Sequence, residues 1–505
     1  MFRIFGPPGT GKTTTLLNIV DKALSNGTPP DQIAFLAFTR KAATEARERA
    51  GERFGFKPDE MPYFRTLHSL AFRMTGLSSD QLMKTEHYRE IEKQIGFSLV
   101  SGTASVYEME EDSASTVSKE SPVLKIITLA RLKRTSLRQE YDRSDIDYTW
   151  LEVDFVARSL QEYKNARGLF DYTDMLELFA REGDKACPQF QLTLLDEAQD
   201  LSPLQWEIAH MLDQQSQTMY CAGDDDQAIY KWSGADVDHF INLPGGSEVL
   251  EQSYRIPAAI HRVAEKISRR IRHRFPKRYT PRRDEGKVQH IVSVQECDFD
   301  HGSWLILSQA QYQYQPVRNF LKQQGYYFEY ATYSSVPQKV RTALDAWRRL
   351  NLDEEITLTE AQAVYSYMSS KERVKRGFKK IIADDEAMFS FDTLVTDHGL
   401  LVERGTSWED ALDRLPVTDK AYIHALMRRG EDLTKAPRIR LSTIHGSKGG
   451  EADNVLLFTD ITAAAESSLE SDPDSLHRVF YVAVTRAREA LYILQPESFS
   501  RYYAI

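Results

Sequence analysis

The chain has three cysteines in 505 residues, Cys187, Cys221 and Cys297. They lie far apart and form no metal-ligand spacing, so they read as ordinary residues of a reducing compartment rather than as a disulfide framework. No apolar run approaches the roughly 18 residues of a membrane span, so no membrane partner is expected. The chain passes straight into an apolar strand (Phe2, Ile4, Phe5) and a glycine-rich loop, which leaves no signal peptide. A cytoplasmic protein is the expectation. Nor is the chain basic: its formal net charge is −10. That argues against a protein that coats nucleic acid by charge alone. It does not exclude one that grips nucleic acid in a cleft, because the distribution of charge matters more than its sum. No internal repeat is visible.

Basic residues do gather in RLKRTSLR (131–138), HRVAEKISRRIRHRFPKRYTPRR (261–283) and KERVKRGFKK (371–380). Each is either a phosphate-contacting face or the wet face of a helix. The length suggests roughly three to four domains. Strand-like and helix-like pieces alternate at the start (FRIFG, the helix after the glycine loop, IAFLAFT, KAATEARERA), which predicts a parallel α/β sheet. Charged helical segments follow from about 77. Within them SVYEMEEDSASTVSKESP (105–122) is acidic, serine-rich and poor in core residues, as a mobile loop would be. Sheet-like order resumes at FQLTLLD and TMYCAGD. A second α/β region is expected from about 258, with strands at VQHIV (288–292), SWLILS (303–308), YYFEYA (326–331), IRLSTIHG (439–446), NVLLFTDI (454–461) and ALYILQP (490–496). Residues 354–437 read as helix-rich with no clear strand.

GPPGTGKT at 6–13 fits the phosphate-loop pattern G-x-x-x-x-G-K-[ST] and has the strand–loop–helix context that the pattern requires. Gly6, Gly9 and Gly11 let backbone N–H groups face phosphates at a helix N-terminus. Lys12 can reach the terminal phosphates, and Thr13 can join Mg²⁺. In LLDEAQD (194–200), Asp196 ends a strand and can hold the Mg²⁺ shell, while Glu197 can orient and deprotonate a water. GDDDQAIYKWSGA (223–235) then joins a polar group able to sense phosphate, Gln227, to an exposed-looking Tyr-Lys-Trp able to stack on bases. Nucleotide hydrolysis coupled to movement on nucleic acid needs that conjunction.

Taken together, the chain resembles superfamily 1 helicases of the UvrD/Rep/PcrA group. The resemblance rests on an ordered set: GPPGTGKT (6–13), AFLAFTRKAATEAR (34–47), FRTLHSLAFR (64–73), ARGLFDYTDML (166–176), LLDEAQD (194–200), AGDDDQAIYKWSGA (222–235), LEQSYR (250–255), LSTIHGSKGGEADNV (441–455) and VFYVAVTRARE (479–489). It implies two RecA-like P-loop domains with parallel sheets, each interrupted by a helical insertion. The corresponding division is 1–76 with 166–257, insertion 77–165, then 258–353 with 438–505, insertion 354–437. It implies ATP and Mg²⁺ at the interface of the two α/β domains. The nucleotide would meet Gly6, Pro7, Pro8, Gly9, Thr10, Gly11, Lys12, Thr13 and Thr14, with Tyr254 stacking on the base and Glu451 contacting the ribose. Gln227 would read the γ-phosphate, and Arg255 and Arg486 would act as arginine fingers, although either taken alone reads first as a surface ion pair. DNA would meet Phe38, Thr39, Thr66, His68, Tyr230, Trp232, Thr443 and His445; Phe38 alone also reads as core.

What the resemblance implies is an ATP-dependent helicase moving 3′-to-5′ on single-stranded DNA and acting at single-strand/duplex junctions. Replication or repair proteins are further expected partners, and the expected state is a monomer or weak self-association. The alternatives are a translocase that strips bound proteins with little unwinding, and a nucleotide-gated scaffold. Two departures stand out. The group's glutamine motif upstream of the P-loop has no room here, and its arginine after the P-loop threonine is Thr14, so relaxed base selectivity is expected. The insertions, particularly 354–437, are shorter than usual, and no nuclease domain is expected beyond 505.

Overall fold

The computed structural model describes residues 1–37, 40–99, 121–331 and 333–505. They form two compact bodies. The first comprises Met1–His290, Ile444–Glu451 and Thr459–Ile505; the second comprises Ile291–Thr443 and Ala452–Phe458.

The first body is built on six strands: β1 (Phe2–Phe5), β2 (Ile33–Ala37), β3 (Phe64–Thr66), β4 (Phe190–Leu195), β5 (Ser216–Gly223) and β6 (Ser247–Val249). Their order is β3-β2-β4-β5-β1-β6, and every pairing is parallel. A parallel sheet is covered on both faces, so its strands read as unbroken apolar runs. IAFLA in β2 is the example: all five residues are buried. Ile33 and Phe35 face a cluster with Leu16, Leu17 and Val20. Ala34 and Leu36 face the other cluster, with Leu67, Phe179 and Trp206. The period of two along the strand makes this division.

Between β3 and β4 stand the helices Thr85–Ile95, Pro122–Leu132, Leu137–Asp142 and Trp150–Arg167. Four of their residues, Ile91, Val123, Val156 and Leu160, centre a separate apolar cluster. The serine-rich stretch 105–122 lies outside the described residues except at its end. There Ser121 caps a helix, its Oγ accepting from Leu124 N at 3.2 Å, with Pro122 in the first turn.

Buried ion pairs tie these helices to the helix Tyr172–Ala186. Lys164 is almost wholly buried and lies 2.6 Å from both Asp171 and Asp174. Arg131 meets Asp171 at 2.9 Å and Glu177 at 2.7 Å. Among the insertion helices themselves Lys133 pairs with Glu140, and at the surface Arg134 meets Glu207 of the helix Pro203–Gln214 at 2.6 Å. The basic run 131–138 is thus engaged with carboxylates, which favours a structural role over the phosphate-contacting alternative. The run 371–380 remains mostly exposed.

In the second body, five strands lie in the order Tyr333–Ser334, Phe328–Tyr330, Ile439–Thr443, Trp304–Ser308, Ala452–Phe458. All pairings are parallel except that of the two-residue edge strand Tyr333–Ser334. Residues 354–437 hold helices such as Leu358–Ser366 and Val417–Arg429. They also hold an antiparallel ribbon pairing Ile356–Thr357 with Met388–Phe389, which corrects the expectation of no strand. Two residues per strand are too few to show alternation in a sequence. Among the described residues no helix is long and apolar enough to cross a membrane.

Lys164→Ala should lower stability by about 1.5–3 kcal/mol, because it removes two charge-assisted hydrogen bonds and leaves Arg131 alone to compensate Asp171 and Asp174. A urea midpoint unchanged from wild type would show that the Lys164 pairs do not hold the helices together.

Candidate active site

Parallel order places the C-terminal ends of β4, β5 and β1 side by side, and three loops leave from that edge. Crevices at such edges are where open α/β sheets bind ligands. The loop after β1 is the glycine-rich one. Gly9 and Gly11 have φ of +71° and +79°, a region that side chains disfavour. A Cβ on Gly9 would also come 2.3 Å from the Arg255 Cβ, and one on Gly6 would come 1.9 Å from the Lys12 Cγ. The helix Lys12–Ser25 starts from Gly11 with no side-chain cap, so its first N–H groups face the loop.

Lys12 Nζ donates to Gly6 O at 2.9 Å and lies 3.9 Å from Glu197 Oε1. Thr13 Oγ1 donates to Asp196 Oδ2 at 3.0 Å. Asp196 ends β4, and Glu197 follows in a left-handed conformation, φ 54°, which turns its carboxylate toward Lys12. Burial, and then the Glu197 charge, push the Asp196 carboxyl up to about 6. Burial would raise Glu197 as well, but Lys12 and then Lys448 outweigh it and hold Glu197 at about 2. The two neighbours are thereby driven apart, one poised to take a proton or cation and one kept ionised.

The loop after β5 carries Gln227. Its Nε2 donates to Asp224 Oδ2 at 2.7 Å, and its Oε1 accepts from Arg486 Nη2 at 2.6 Å. Asp224 N in turn donates to Gln199 Oε1 at 3.0 Å, tying this loop to the one after β4. Arg486 is buried; burial, and then the Arg255 charge, bring it down to about 10. Tyr254 N donates to Gly9 O at 2.8 Å, which seats the 253–255 turn on the glycine loop. The Tyr254 ring is 74% exposed and so has a face to offer. Arg255 pairs with Glu451, which also meets Arg488 at 2.7 Å.

Residues Pro7–Thr14, Asp196, Glu197, Gln227, Tyr254, Arg255, Glu451 and Arg486 line one pocket of about 420 Å³ in the first body. Glu451, expected at a ribose, is engaged here by two arginines. The Thr13 hydroxyl and Asp196 carboxylate are hard oxygen donors of the kind Mg²⁺ prefers, so the residues present fit that ion.

The expected nucleic-acid residues are more dispersed. Trp232 is 44% exposed, with Lys125 Nζ 5.4 Å from its ring centre and His445 edge-on at 6.3 Å. Tyr230 is buried, so the exposed aromatic expected there is corrected: its ring packs 4.8 Å from Lys448 Nζ and lines the nucleotide-sized pocket. Thr66 is buried and caps a helix, accepting from Ser69 N at 3.1 Å. His68 shares a cleft of about 390 Å³ with Arg47, Arg65 and Tyr172. Burial lowers both His68 and His445 to about 4, which keeps them neutral near pH 7. Thr443 ends a strand of the second body. Phe38 and Thr39 lie outside the described residues.

Sequence reasoning missed Lys448. It pairs with Asp200, donates to Gln227 O at 2.9 Å and lies 3.8 Å from Glu197. Its only sequence signal is a lysine in a glycine-rich turn. Gln199, donating to Glu197 Oε2 at 2.6 Å, was also missed.

The chain matches the UvrD/REP helicase N-terminal domain over residues 2–245 and the UvrD-like helicase C-terminal domain over residues 438–494. It is 22% identical to YjcD of Bacillus subtilis (strain 168), a protein named for ATP-dependent DNA helicase activity, over 97% of this chain and 76% of that protein. It is 25% identical to the ATP-dependent DNA helicase PcrA of the same organism, over 55% of this chain and 39% of PcrA. DNA helicase II of Escherichia coli (strain K12) is 27% identical over 49% of this chain and 35% of that protein. The chain thus spans about three-quarters of YjcD and well under half of the other two.

Glu197 gives a pH signature. Its folded value lies below the unfolded one, so its contribution to stability is complete above about 4.3 and is lost as pH falls toward about 2. Glu197→Gln should therefore flatten the decline of the urea midpoint across that acid window. An equally steep decline in the variant would show that Lys12 and Lys448 do not hold the carboxylate.

Proposed function

Because this chain belongs to the UvrD/REP helicase family, we propose that it is an ATP-dependent DNA helicase that moves along single-stranded DNA and couples hydrolysis to unwinding. One observation carries the coupling. The Arg486–Gln227–Asp224 hydrogen bonds join the phosphate pocket to the segment that, five residues after Gln227, presents Trp232. A segment this short responds as a unit when a contact at one end changes.

The proposed roles follow from charge and position. Lys12 and the glycine-loop N–H groups bind the terminal phosphates. Thr13 and Asp196 would hold Mg²⁺, which supplies charge neutralisation on the phosphate oxygens. Glu197 is kept ionised and takes the proton of the attacking water. Arg255 and Arg486 meet charge that develops in the transition state. Tyr254 stacks on the base. Arg255 and Glu451 now hold each other, so nucleotide binding exchanges that pair for a phosphate contact and a ribose contact. Trp232 stacks on bases without sequence preference, and His68, Thr66 and His445 flank the strand. The 3′-to-5′ direction, action at single-strand/duplex junctions and a cytoplasmic site belong to the same proposal. So does the division into 1–76 with 166–257, 77–165, 258–353 with 438–505, and 354–437.

The test is ATP turnover with and without single-stranded DNA, followed by unwinding of duplexes with 3′ or 5′ tails. Turnover indifferent to DNA would overturn the proposal. Lys12→Ala should nearly abolish turnover in a folded protein, since it removes the point charge at the terminal phosphates; turnover near wild type would remove Lys12 from the site. Trp232→Ala should weaken single-stranded DNA binding by about 1–3 kcal/mol while sparing the DNA-free ATPase rate. Unchanged DNA affinity would take Trp232 out of the binding face.

A further inference from the structure

The aspartates of GDDDQ do more than form an acidic turn. Asp224, Asp225 and Asp226 are all buried. They converge on Lys277, whose side chain has no exposure: Nζ lies 3.2 Å from Asp224 Oδ1, 2.6 Å from Asp225 Oδ1 and 2.8 Å from Asp226 Oδ2. Arg274 Nε donates to Asp226 Oδ1 at 2.7 Å, and Phe275 N donates to Asp225 Oδ2 at 2.7 Å. Arg478 Nε holds the Asp225 carbonyl at 2.9 Å. Buried carboxylates persist only when paired and hydrogen-bonded, and this cluster meets that demand from three separate stretches of chain.

Asp224 is the member that faces the active site. Its Oδ1 takes Lys277 and the Asp226 N–H, the latter at 3.2 Å; its Oδ2 takes Gln227 Nε2 at 2.7 Å. Both oxygens therefore accept. An arginine can only donate, and Arg486 Nη2 sits 2.6 Å from the other end of the same amide. Only one of the two amide orientations satisfies an acceptor on one side and a donor on the other. The reverse flip sets N–H against guanidinium and carbonyl against carboxylate.

We propose that the buried Lys277–Asp224 pair is a positioning element that fixes the orientation of the Gln227 amide and thereby how Gln227 holds Arg486. This rests on the function proposed above and deepens it. Arg486 is drawn from Gln227 toward a phosphate only against a fixed partner, so the exchange is all-or-none. With the amide free to flip, the same exchange becomes graded, and hydrolysis loses its link to the DNA-facing segment. Neither Lys277 nor Asp224 needs to touch nucleotide.

Asp224→Asn is the informative variant. It leaves Lys277 and Arg274 facing two carboxylates, a balanced set, so the fold should be retained. It also replaces a fixed acceptor with an amide that can donate or accept. The expected result is a thermal midpoint near wild type, a KM for ATP changed little, and a DNA-stimulated kcat reduced at least about tenfold. Gln227→Ala should show the same pattern, and the two changes together should cost no more than either alone.

A wild-type DNA-stimulated kcat in Asp224→Asn, or losses that multiply in the double variant, would overturn the inference. Absence of DNA stimulation in the wild type would instead overturn the helicase function. The inference is then decided without nucleotide or DNA, by a stability cycle between Asp224→Asn and Arg486→Ala. Coupling between these two non-touching residues that disappears in a Gln227→Ala background supports it, and simple additivity refutes it.

Discussion

The parallel pairing of β1 with β5, and of β5 with β4, is the constraint from which the site follows. Hydrogen bonds from Phe2 through Phe5 to Tyr220 through Gly223 set one register, and those from Phe190 through Leu195 to Ser216 through Cys221 set the next. Parallel neighbours end at the same edge, so the glycine loop, Asp196–Glu197 and Asp224–Gln227 leave the sheet together. Burial on both faces makes this register hard to slip, since a one-residue shift would exchange the Ile33 and Phe35 face for the Ala34 and Leu36 face.

Charge supplies the second level of order. The pocket gathers Lys12, Lys448, Arg255 and Arg486 with Asp196, Glu197, Asp200 and Glu451. Each cation is engaged by a nearby carboxylate or amide: Lys12 with Glu197, Lys448 with Asp200, Arg255 with Glu451, Arg486 with Gln227. Groups suited to phosphate and ribose thus satisfy one another, and a polyanionic ligand acts by exchanging these pairs rather than by filling an inert cavity. The opposite displacements of Asp196 and Glu197 come from the same arrangement, because Lys12 and Lys448 outweigh burial at Glu197 while burial and the Glu197 charge prevail at Asp196.

The helicase family model matches at 2–245 and 438–494 agree with the ordered motifs that the chain displays. Strands at 2–5, 33–37, 190–195, 304–308 and 439–443 lie where apolar runs and turn residues put them. Other features were opaque. Tyr230 reads as exposed because an acidic turn precedes its segment and Lys231 follows it, yet Lys448, 218 positions away, packs on its ring. The basic run 131–138 reads equally as a phosphate face or a wet helix face because Asp171, Asp174, Glu177 and Glu207 are distant in sequence. The ribbon of Ile356–Thr357 with Met388–Phe389 has too few residues to display a period.

The sequence by itself determined the α/β order, the glycine loop with its lysine and threonine, and the acidic residues at strand ends. These are local properties, written in spacing, periodicity and the backbone freedom of glycine. Tertiary structure alone decided which partner each charge meets. It placed Lys277 among three aspartates, Lys448 between Asp200 and Gln227, and Arg486 on the Gln227 amide. Ion pairing and hydrogen bonding depend on distance in space and on the loss of water around each group, and neither is set until remote segments pack against one another.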